Sequence, residues 1–358
     1  MPAQVLISIL IPIYNVQDYL EECLDSVCAQ TFGDFEAICI NDGSTDNSRE
    51  IVERYLKKDG RFRLIDKANS GYGASMNRGL DAASGNYIAI LESDDFFEAQ
   101  TLERLYGAIR EFEAEVVMAN CYFYWAGPPK RNISYGLTPR SQVGRLINPQ
   151  KNHEIFYRGP AVWAALYDNN FLKTHDIRFN ETPGASYQDL GFHFKVWAMA
   201  TRAIFLRDAF VHYRQSNKNS SVKASGKIYS VCEEFAEINR YLAALPEIPE
   251  WLKAVKAKLK FITYVWNYER LADEFQLEFL QRFASEMRLE LEEGNIDWSL
   301  FEKWDTLELQ NILNSPEEYH KKRQASGRGK LGKLKHIFKI GGLPLLISFG
   351  KNRFLRRG

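Results

Sequence analysis

The first 120 residues alternate between two hydrophobic patterns. Short continuous apolar runs are typical of buried parallel strands, whereas apolar residues three and four positions apart are typical of helices packed on a sheet. The runs predict strands at 5–14, 35–40, 62–65, 87–91 and 116–125, with a helical segment between each strand and the next. This order predicts an α/β fold, with a doubly wound, mostly parallel sheet and helices on both faces.

Local signals set the ends of these helices. Asp18 is expected to cap the first helix, with Glu21 three residues later in the position of a capping box. Gly85 is expected to lie just past the end of the third helix. Residues 126–160 are rich in Pro, Gly, Asn and Arg, which predicts loops with short irregular pieces.

The second half of the chain has a different pattern. From 227 to about 320 the spacing of apolar residues is helical throughout, with breaks at Pro246, Pro249 and Gly294. Three glycines within 325–333 predict a hinge. We therefore expect an α/β domain over 1–226, a helical domain over 227–324 and a tail over 325–358.

The chain has 46 basic and 46 acidic residues, and this balance disfavours a generally basic protein that binds nucleic acid. The tail is nevertheless basic, because twelve Lys or Arg and no Asp or Glu follow from His320 onward. Such blocks meet nucleic acid or anionic membranes. Leu331, Leu334, Ile337 and Phe338 lie at helical spacing among lysines, which predicts an amphipathic anchor in the membrane plane. The alternatives are a helix packed on the protein's own acidic body and an RNA-binding tail.

The five cysteines predict neither a disulfide framework nor a metal site. Their number is odd, and no pair has metal-ligand spacing near a histidine cluster. We expect buried, reduced thiols, which suit a reducing cytoplasm. No basic segment precedes the apolar run at 5–14, so no signal peptide is expected. No apolar stretch reaches the roughly 18 residues of a membrane-spanning helix.

Polar clusters follow the predicted strands, at Asn15, Asn41-Asp42, 66–69 and Glu92-Ser93-Asp94-Asp95. In parallel α/β sheets, ligands bind outside the carboxyl ends of the strands. The last cluster holds three carboxylates whose mutual repulsion a cation would relieve, and hard oxygen ligands suit Mg²⁺ or Mn²⁺. The alternative is an ordinary turn in which Asp95 caps the next helix.

Two further segments bear on nucleotide binding. Asp42, one strand end away from the carboxylates, can accept hydrogen bonds from the N–H groups of a base; the alternative is an ordinary turn. The segment Asn69-Ser70-Gly71-Tyr72-Gly73 is not a dinucleotide fingerprint, because Met76 stands where the third glycine should be and the segment follows the third strand. Its glycines are expected to let the backbone approach a ligand or to pack a helix tightly.

These segments, in this order, resemble the bacterial family 2 glycosyltransferases with the GT-A fold, of the capsule and surface-polysaccharide type. The resemblance covers most of residues 5–97 and, more weakly, parts of 163–221, and it stops after about residue 226. The matching segments are 9–15, 24–32, 41–46, 69–79, 87–95, 163–172, 187–189 and 212–221.

The resemblance implies a set of contacts with a nucleotide sugar. Glu92 stands where the family usually has Asp, so its contact with the ribose would use a longer side chain. Ser75-Met76-Asn77 replaces the usual Ala-Arg-Asn, so the role of that Arg does not transfer. The implied contacts are Pro12, Tyr14 and Asn15 around the base, Asp42 on the base, Asn69, Gly71, Glu92 and Ser93 along the nucleotide sugar, and Arg214 on the diphosphate.

The resemblance also implies the chemistry. Asp94 would bind a divalent cation, Mn²⁺ or Mg²⁺, with Asp95 and His212 as further candidate ligands. Asp189 would be the catalytic base, and Trp163 would stack on a sugar of the acceptor. The alternatives are a helix N-cap for Asp189, core packing for Trp163, a structural histidine for His212 and a surface arginine for Arg214.

The hypothesis is an inverting, metal-dependent transfer of a sugar from a nucleotide donor, UDP-linked, to a hydroxyl of a growing surface glycan or lipid-linked glycan. We expect a cytoplasmic enzyme, peripheral on the cytoplasmic face of the inner membrane and docked through its basic tail. One alternative is a nucleotidyltransferase, which would need a basic phosphate loop that residues 11–15 lack. The other is an inactive membrane-docked scaffold, against which the intact carboxylates of Asp42, Asp94 and Asp189 argue.

Overall fold

The computed structural model describes residues 5–217 and 228–327, together with 331–332, 334–339 and 341–342. The chain divides into two compact units, one formed by 1–224 with 236–241 and the other by 225–235 with 242–358. The domain boundary expected between 226 and 227 falls outside the described residues.

The first unit contains a sheet that, within the described residues, has ten strands in the order β3-β2-β1-β4-β9-β6-β10-β5, with β7 on β6 and β8 on β10. The strands are β1 (Ile7–Ile13), β2 (Phe35–Asp42), β3 (Phe62–Lys67), β4 (Tyr87–Ile90), β5 (Phe96–Phe97), β6 (Val116–Trp125), β7 (Arg131–Tyr135), β8 (Leu146–Ile147), β9 (Ala165–Asp168) and β10 (Ala203–Arg214). Its helices are α1 (Gln17–Cys28), α2 (Ser48–Lys58), α3 (Tyr72–Ala82), α4 (Thr101–Glu111), α5 (Asn169–Thr174) and α6 (Gln188–Met199).

The α/β fold with a central sheet and flanking helices is confirmed, but the sheet is mixed, with antiparallel pairings that the sequence pattern does not predict: β5 and β8 pair with β10, and β7 pairs with β6. Strands β3, β2, β1 and β4 run parallel to one another, and β6 runs parallel to β10. Between them lies β9, antiparallel to both β4 and β6. β9 comes from the mixed aromatic region after 160 and has only four residues, too few for a distinctive hydrophobic period. A second strand, β7, lies within the segment expected to be loops.

The central strands are buried, and helices α1 to α4 pack against the sheet. Every residue of β1 and of β2 is buried. Helix α1 packs its apolar stripe, Leu20, Cys23, Leu24 and Val27, against the sheet. The cysteines are free thiols, four of them buried and Cys28 half-buried.

The expected cap of α1 is wrong. Val16 is the N-cap residue, no side chain caps the helix, and Asp18 lies in the first turn. The N–H groups at this end are satisfied from the next loop instead, because Val16 N donates to Ser48 Oγ (3.0 Å) and Gln17 N donates to Asp46 Oδ2 (3.0 Å). The loops that follow β1 and β2 are thereby joined.

The second unit is helical, as the sequence pattern predicts. Its core includes the rings of Tyr264, Phe279 and Phe283; the Tyr264 ring centroid lies 5.5 Å from that of Phe279 and 5.3 Å from that of Phe283. Over the described ranges, none of the helices is both long enough and apolar enough to cross a membrane. The helices after residue 227 are α7 (Ser230–Ala243), α8 (Glu250–Arg270), α9 (Asp273–Glu292), α10 (Lys303–Asn314) and α11 (Pro316–Gln324).

Candidate active site

The polar clusters expected at the strand ends do lie along one edge of the sheet. Asn15 follows β1 with a left-handed backbone (φ 49°), and its Oδ1 accepts a hydrogen bond from Thr45 N (2.8 Å). Tyr14 is 53% exposed beside it, whereas Pro12 is buried inside β1. The Tyr14 ring is therefore open to a stacking ligand.

Asp42, at the end of β2, is buried and holds the loop that follows β3. Its two carboxylate oxygens accept hydrogen bonds from Ser70 N (2.8 Å) and Gly71 N (3.0 Å), and the Lys67 ammonium pairs with it. Asn69 donates from Nδ2 to the Asp42 carbonyl (3.1 Å). A base that bonds to Asp42, as expected, would thus contact a carboxylate that already orients the segment 69–73, which we call the donor-side loop.

The glycines of this loop pack the backbone tightly, which was one of the two expected roles. Gly71 has φ 94°, and a Cβ there would lie 2.8 Å from Gly184 N. A Cβ on Gly73 would lie 1.9 Å from the carbonyl oxygen of Asn180. Tyr72 N donates to the Gly184 carbonyl (3.0 Å). The start of α3 therefore supports the segment 180–184, which leads to Asp189.

The structure brings together three carboxylates, Glu92, Asp94 and Asp189, which we call the carboxylate cluster. Burial, together with the neighbouring charges of Asp94 and Asp189, raises the pKa of Glu92 to about 8. Tyr72 Oη donates to Glu92 Oε1 (2.7 Å), which opposes that shift. Tyr72 is not among the site residues predicted from the sequence, although its position between two glycines at the start of a helix could have indicated it.

Asp189 is the second residue of α6 and not its N-cap, so the N-cap alternative is wrong. Tyr187 occupies the N-cap without a side-chain bond to the helix. The half-buried Asp189 carboxylate accepts a hydrogen bond from Leu190 N (2.9 Å), and burial raises its pKa to about 7. Gln188 fixes the preceding loop by donating to Thr182 Oγ1 (2.9 Å). A carboxylate with this pKa is matched to proton transfer at neutral pH.

Arg214 is buried and supports the Asp94-Asp95 turn. Its backbone N donates to Asp95 Oδ1 and its Nε donates to the Asp94 carbonyl, both at 2.7 Å. Its guanidinium pairs with Glu22 and lies over the ring of Tyr19. With 5% of the residue exposed, the surface-arginine alternative is wrong. In this arrangement aromatic rings and Glu22 enclose the guanidinium, and the expected diphosphate contact stays a prediction.

Asp95 does not cap a helix, because Gln100 holds the N-cap position of α4. It is 1% exposed, and its Oδ2 has no hydrogen-bond partner among the described residues. Burial, and then the charge of Asp94, raise the pKa of Asp95 well above its usual range. Ser93, between the carboxylates, is also buried.

The carboxylate oxygens of Asp94 and Asp95 are better candidate ligands for a divalent cation than His212 is. Asp94 is half-buried and accepts a hydrogen bond from Asn217 Nδ2 on Oδ2 (2.8 Å). His212 is no ligand in this arrangement, because its ring nitrogens bond to Glu98 Oε1 (2.7 Å) and Asn132 Oδ1 (3.1 Å). Among the described residues, no three His, Cys, Asp or Glu side chains form a closed metal site. The donor set fits an open site at Asp94 beside the unpartnered oxygen of Asp95.

Trp163, the expected acceptor contact, is half-buried and stacks on Tyr213, with ring centroids 5.0 Å apart and an interplanar angle of 17°. Burial raises the pKa of Tyr213, and the charges of Asp95, Asp94, Asp189 and Glu92 raise it further. The ring pair therefore lies near the carboxylate cluster.

Comparison with known proteins adds the family. The glycosyl transferase family 2 pattern matches residues 8–168. The uncharacterized glycosyltransferase EpsJ of Bacillus subtilis (strain 168) is 34% identical over 228 residues, which cover 60% of this chain and 62% of EpsJ. The glycosyltransferase GlyG of Streptococcus pneumoniae serotype 4 is 32% identical over 218 residues, 59% of this chain and 71% of GlyG. The chain thus matches about three fifths of the length of EpsJ.

Among solved structures, residues 1–349 of S. aureus TarS in complex with UDP-GlcNAc align with a TM-score of 0.71 and 20% identity, covering 90% of this chain and 92% of that one. The mannosyltransferase PcManGT of Pyrobaculum calidifontis, in complex with GDP-Man and Mn²⁺, aligns with a TM-score of 0.52 and 16% identity, covering 88% and 86%. These likenesses confirm the GT-A fold. With the match to GlyG and the family pattern, they lead to one conclusion: the chain belongs to glycosyltransferase family 2.

Proposed function

We propose that this chain transfers a sugar from a UDP-linked donor to a hydroxyl of a growing surface polysaccharide, with inversion at the anomeric carbon. The observation that carries the proposal is the carboxylate cluster, which joins the end of β4 to the start of α6 at the ligand-binding edge of the sheet. The complexes of TarS with UDP-GlcNAc and with UDP support the choice of nucleotide.

Asp189 is the base in this proposal. Its carboxylate takes the proton of the acceptor hydroxyl while the hydroxyl oxygen bonds to the anomeric carbon from the face opposite the leaving group. The bond from the anomeric carbon to the diphosphate oxygen breaks, and the electron pair leaves with UDP. A pKa of about 7 lets Asp189 be ionised at neutral pH and still accept a proton.

The remaining residues bind and orient. Tyr14 stacks on the base, Asp42 orders the loop from Asn69 to Gly71 along the nucleotide, and Glu92 accepts hydrogen bonds from the ribose. A divalent cation, Mn²⁺ or Mg²⁺, held by Asp94 beside Asp95 would neutralise charge on the diphosphate. Arg214 stabilises the Asp94-Asp95 turn through its hydrogen bonds to both residues rather than contacting phosphate.

The test is a UDP-release assay over a panel of UDP-sugars, with surface polysaccharide of the producing cell as acceptor. Wild type should release UDP from one donor in a chelator-sensitive way. Asp94→Ala should abolish the divalent-dependent turnover, and Asp189→Asn should keep donor binding while transfer falls by about 10² or more. Asp208→Asn is the matched control, since Asp208 is a surface carboxylate paired with Arg104 at 3.5 Å.

Contrary results would separate the alternatives. Full activity of Asp94→Ala, or of wild type in excess chelator, would remove the cation from the proposal. Incorporation of a nucleoside monophosphate in place of a sugar would indicate a nucleotidyltransferase. Donor binding without turnover for any sugar would indicate an inactive scaffold.

We also propose that the tail docks on the anionic cytoplasmic face of the membrane, where a lipid-linked acceptor would be accessible. Helical residues after 330 bury His336 and Ile337 and expose Leu331 (75%), Leu334 (37%) and Phe338 (53%). The exposed residues remain candidates for contact with a membrane, whereas Ile337 is packed against the protein, as the alternative interpretation expected. The basic residues Arg328, Lys330, Lys333, Lys351, Arg353, Arg356 and Arg357 lie outside the described residues.

Sedimentation with vesicles of anionic phospholipid tests the docking. Replacing Leu331 and Phe338 together by Gln should abolish binding of the full chain, because the exposed apolar face is lost while the basic charge remains. Replacing Leu289 and Leu291 by Gln on α9, where both are exposed, is the control and should leave binding unchanged. Equal binding by both double variants would refute the docking.

A further inference from the structure

One face of three neighbouring strands carries a row of aromatic side chains. In the sheet register Phe123 of β6 lies beside Tyr213 of β10, and Trp125 lies opposite Arg131 of β7. Because side chains alternate between the faces of a strand, residues two apart share a face. The aromatic strip consists of Tyr213, Phe123, Trp125 and Tyr135 on this face, together with Trp163, which stacks on Tyr213 from the segment Val162–Ala164.

The rings of the aromatic strip form a continuous series of contacts. Tyr213 stacks on Trp163, and its ring centroid lies 5.9 Å from that of Phe123. Phe123 stacks on Tyr135 (4.2 Å, 15°) and meets Trp125 edge to face (6.4 Å). The Arg131 guanidinium lies 4.7 Å from the centre of the Trp125 ring. The rings thus lie in fixed positions along the sheet.

The strip faces solvent, whereas the opposite face of β6 and β10 is largely buried around His212. Tyr135 is 46% exposed and Ile133 between the rings is 51% exposed, while Phe123 and Trp125 are half-buried. On the other face, His212 stacks between Phe96 and Tyr122 (4.2 Å and 5.0 Å) and is buried. A contiguous exposed apolar surface on an edge strand is a liability unless something binds there.

The strip begins at the active site. Tyr213 directly precedes Arg214, whose backbone and side chain hold the Asp94-Asp95 turn at 2.7 Å. The carboxylate cluster also raises the pKa of Tyr213, in line with their proximity. From this end the rings lead outward along β6 and β7 to Trp125. A ligand that lay on the strip would therefore have one end at the carboxylates.

We propose that the aromatic strip binds an oligosaccharide stretch of the acceptor, so that the enzyme elongates an existing glycan chain rather than glycosylating a single sugar. This deepens the proposed function and rests on it. Sugar rings present C–H groups on their flat faces and stack on aromatic rings. Successive contacts along the strip, at 5.0 Å, 5.9 Å and 6.4 Å, are each about the length of one sugar residue.

A glycan suits this surface better than a protein partner does. On the face of the strip β7 adds the charged Arg131 and the single apolar Ile133, whereas Asn132 and Ser134 lie on the opposite face. Protein interfaces usually bury a broad patch with an apolar centre. A narrow path of rings from Trp163 through Tyr213 and Phe123 to Trp125, with a guanidinium at its outer end, matches a linear chain of sugars instead.

The experiment uses the full chain and surface polysaccharide of the producing cell, partly hydrolysed and separated into a mono- and disaccharide fraction and a long fraction. Trp125→Ala and Tyr135→Ala should each raise KM for the long fraction by about tenfold, the loss of one stacking contact. Transfer to the short fraction and UDP release without acceptor should not change. Trp266→Ala is the matched control, because exposed Trp266 also carries an arginine, Arg270, over its ring.

Binding of the long fraction without donor, followed by calorimetry, keeps the test independent of turnover. If wild type binds the glycan and the strip variants bind it tenfold more weakly, the strip proposal holds even where no sugar donor supports transfer. If the variants bind and use the long fraction as wild type does, the proposal is overturned. A dimer in solution that Tyr135→Ala dissociates, with glycan binding unchanged, would also overturn it and assign the strip to a second copy of the chain.

Discussion

The phenol of Tyr72 donates a hydrogen bond to Glu92 across 2.7 Å, and so a residue of the donor-side loop sets the protonation of a carboxylate at the end of β4. Both residues are half-buried, and burial raises the pKa of each. The phenol stabilises the ionised form of Glu92, which has the longer side chain at a position where the family usually has Asp. Tyr72 thereby compensates for part of the burial of Glu92.

Tyr72→Phe should weaken donor binding by about two- to tenfold at pH 8, because loss of one hydrogen bond leaves Glu92 more fully protonated. The pH midpoint of UDP binding, followed by calorimetry, should move to higher pH. Tyr55→Phe is the control, since it removes another phenol–carboxylate bond, to Asp25 (2.8 Å), away from the strand ends. An unchanged midpoint in Tyr72→Phe would show that the protonation of Glu92 does not affect donor binding.

The pKa of Asp189 predicts the pH dependence of transfer. A base must be ionised to act, so kcat should rise with pH through about 7 and then level off. In Asp189→Asn the residual rate should lack this limb. A limb that persists in the variant would assign the base to another residue.

The same pKa predicts a stability effect of the opposite sign. Below about pH 4 Asp189 is protonated in both the folded and the unfolded chain. As the pH rises from about 4 to about 7, the unfolded chain releases the proton and the folded chain retains it, so the free energy of unfolding falls. Asp189→Asn should therefore have a higher Tm than wild type at pH 8, by about 2 °C or more, and an equal Tm at pH 4. Equal values at both pH would show that the carboxylate is well solvated.

Arg214→Lys tests whether that arginine supports the turn or binds phosphate. A lysine cannot hold the Asp94 carbonyl and Glu22 together, so we expect a loss of about 2–3 kcal/mol in the free energy of unfolding, with lower divalent-dependent turnover. Glu22→Gln keeps an acceptor and should cost less. A variant as stable as wild type, but with a much higher KM for the donor, would restore the diphosphate contact that the family resemblance implies.

Gly73→Ala should destabilise the first unit by about 1–3 kcal/mol, because the new methyl group would meet the Asn180 carbonyl. It should also reduce transfer, since the segment that carries Asp189 would have to move. Gly107→Ala is the control: Gly107 lies inside α4 with nothing within 4 Å of an added Cβ, and the change should stabilise by about 0.5–1 kcal/mol. Thermal denaturation of both variants tests the contrast.

The sequence was sufficient for the strands whose order places Asn15, Asp42 and Glu92 on one edge, because buried parallel strands are continuous apolar runs. It did not predict β9, whose position depends on pairing with β4 and β6, residues distant in the chain. The cap of α1 was missed for a similar reason. Its N–H groups bond to Asp46 and Ser48 on another loop, so the local Asp18 signal had no function.

Arg214 shows why the chemistry of a side chain cannot be assigned from its type alone. An arginine near a phosphate site is expected to bind phosphate, yet two separate segments enclose it: α1 supplies the Tyr19 ring and the Glu22 carboxylate, and β6 supplies the Tyr124 ring. Tyr72 is the opposite case, since its partner Glu92 was singled out but nothing in the local sequence joins the two. Both cases depend on contacts between segments that are distant in the chain.

The close approach of Gly73 to Asn180 has a consequence for how this fold can be recombined. At Gly73 the donor-side half of the site and the half that carries Asp189 meet backbone to backbone, and beside this contact the Asn77 side chain bonds to the Phe179 backbone. A chimera that joins the first 170 residues of this chain to the remainder of a relative would keep both halves of the chemistry. It would work only if the relative's backbone fitted the same glycine. We therefore expect donor and acceptor specificity to be exchangeable between relatives only when the chimera takes Gly73 and Asn180 from the same parent protein.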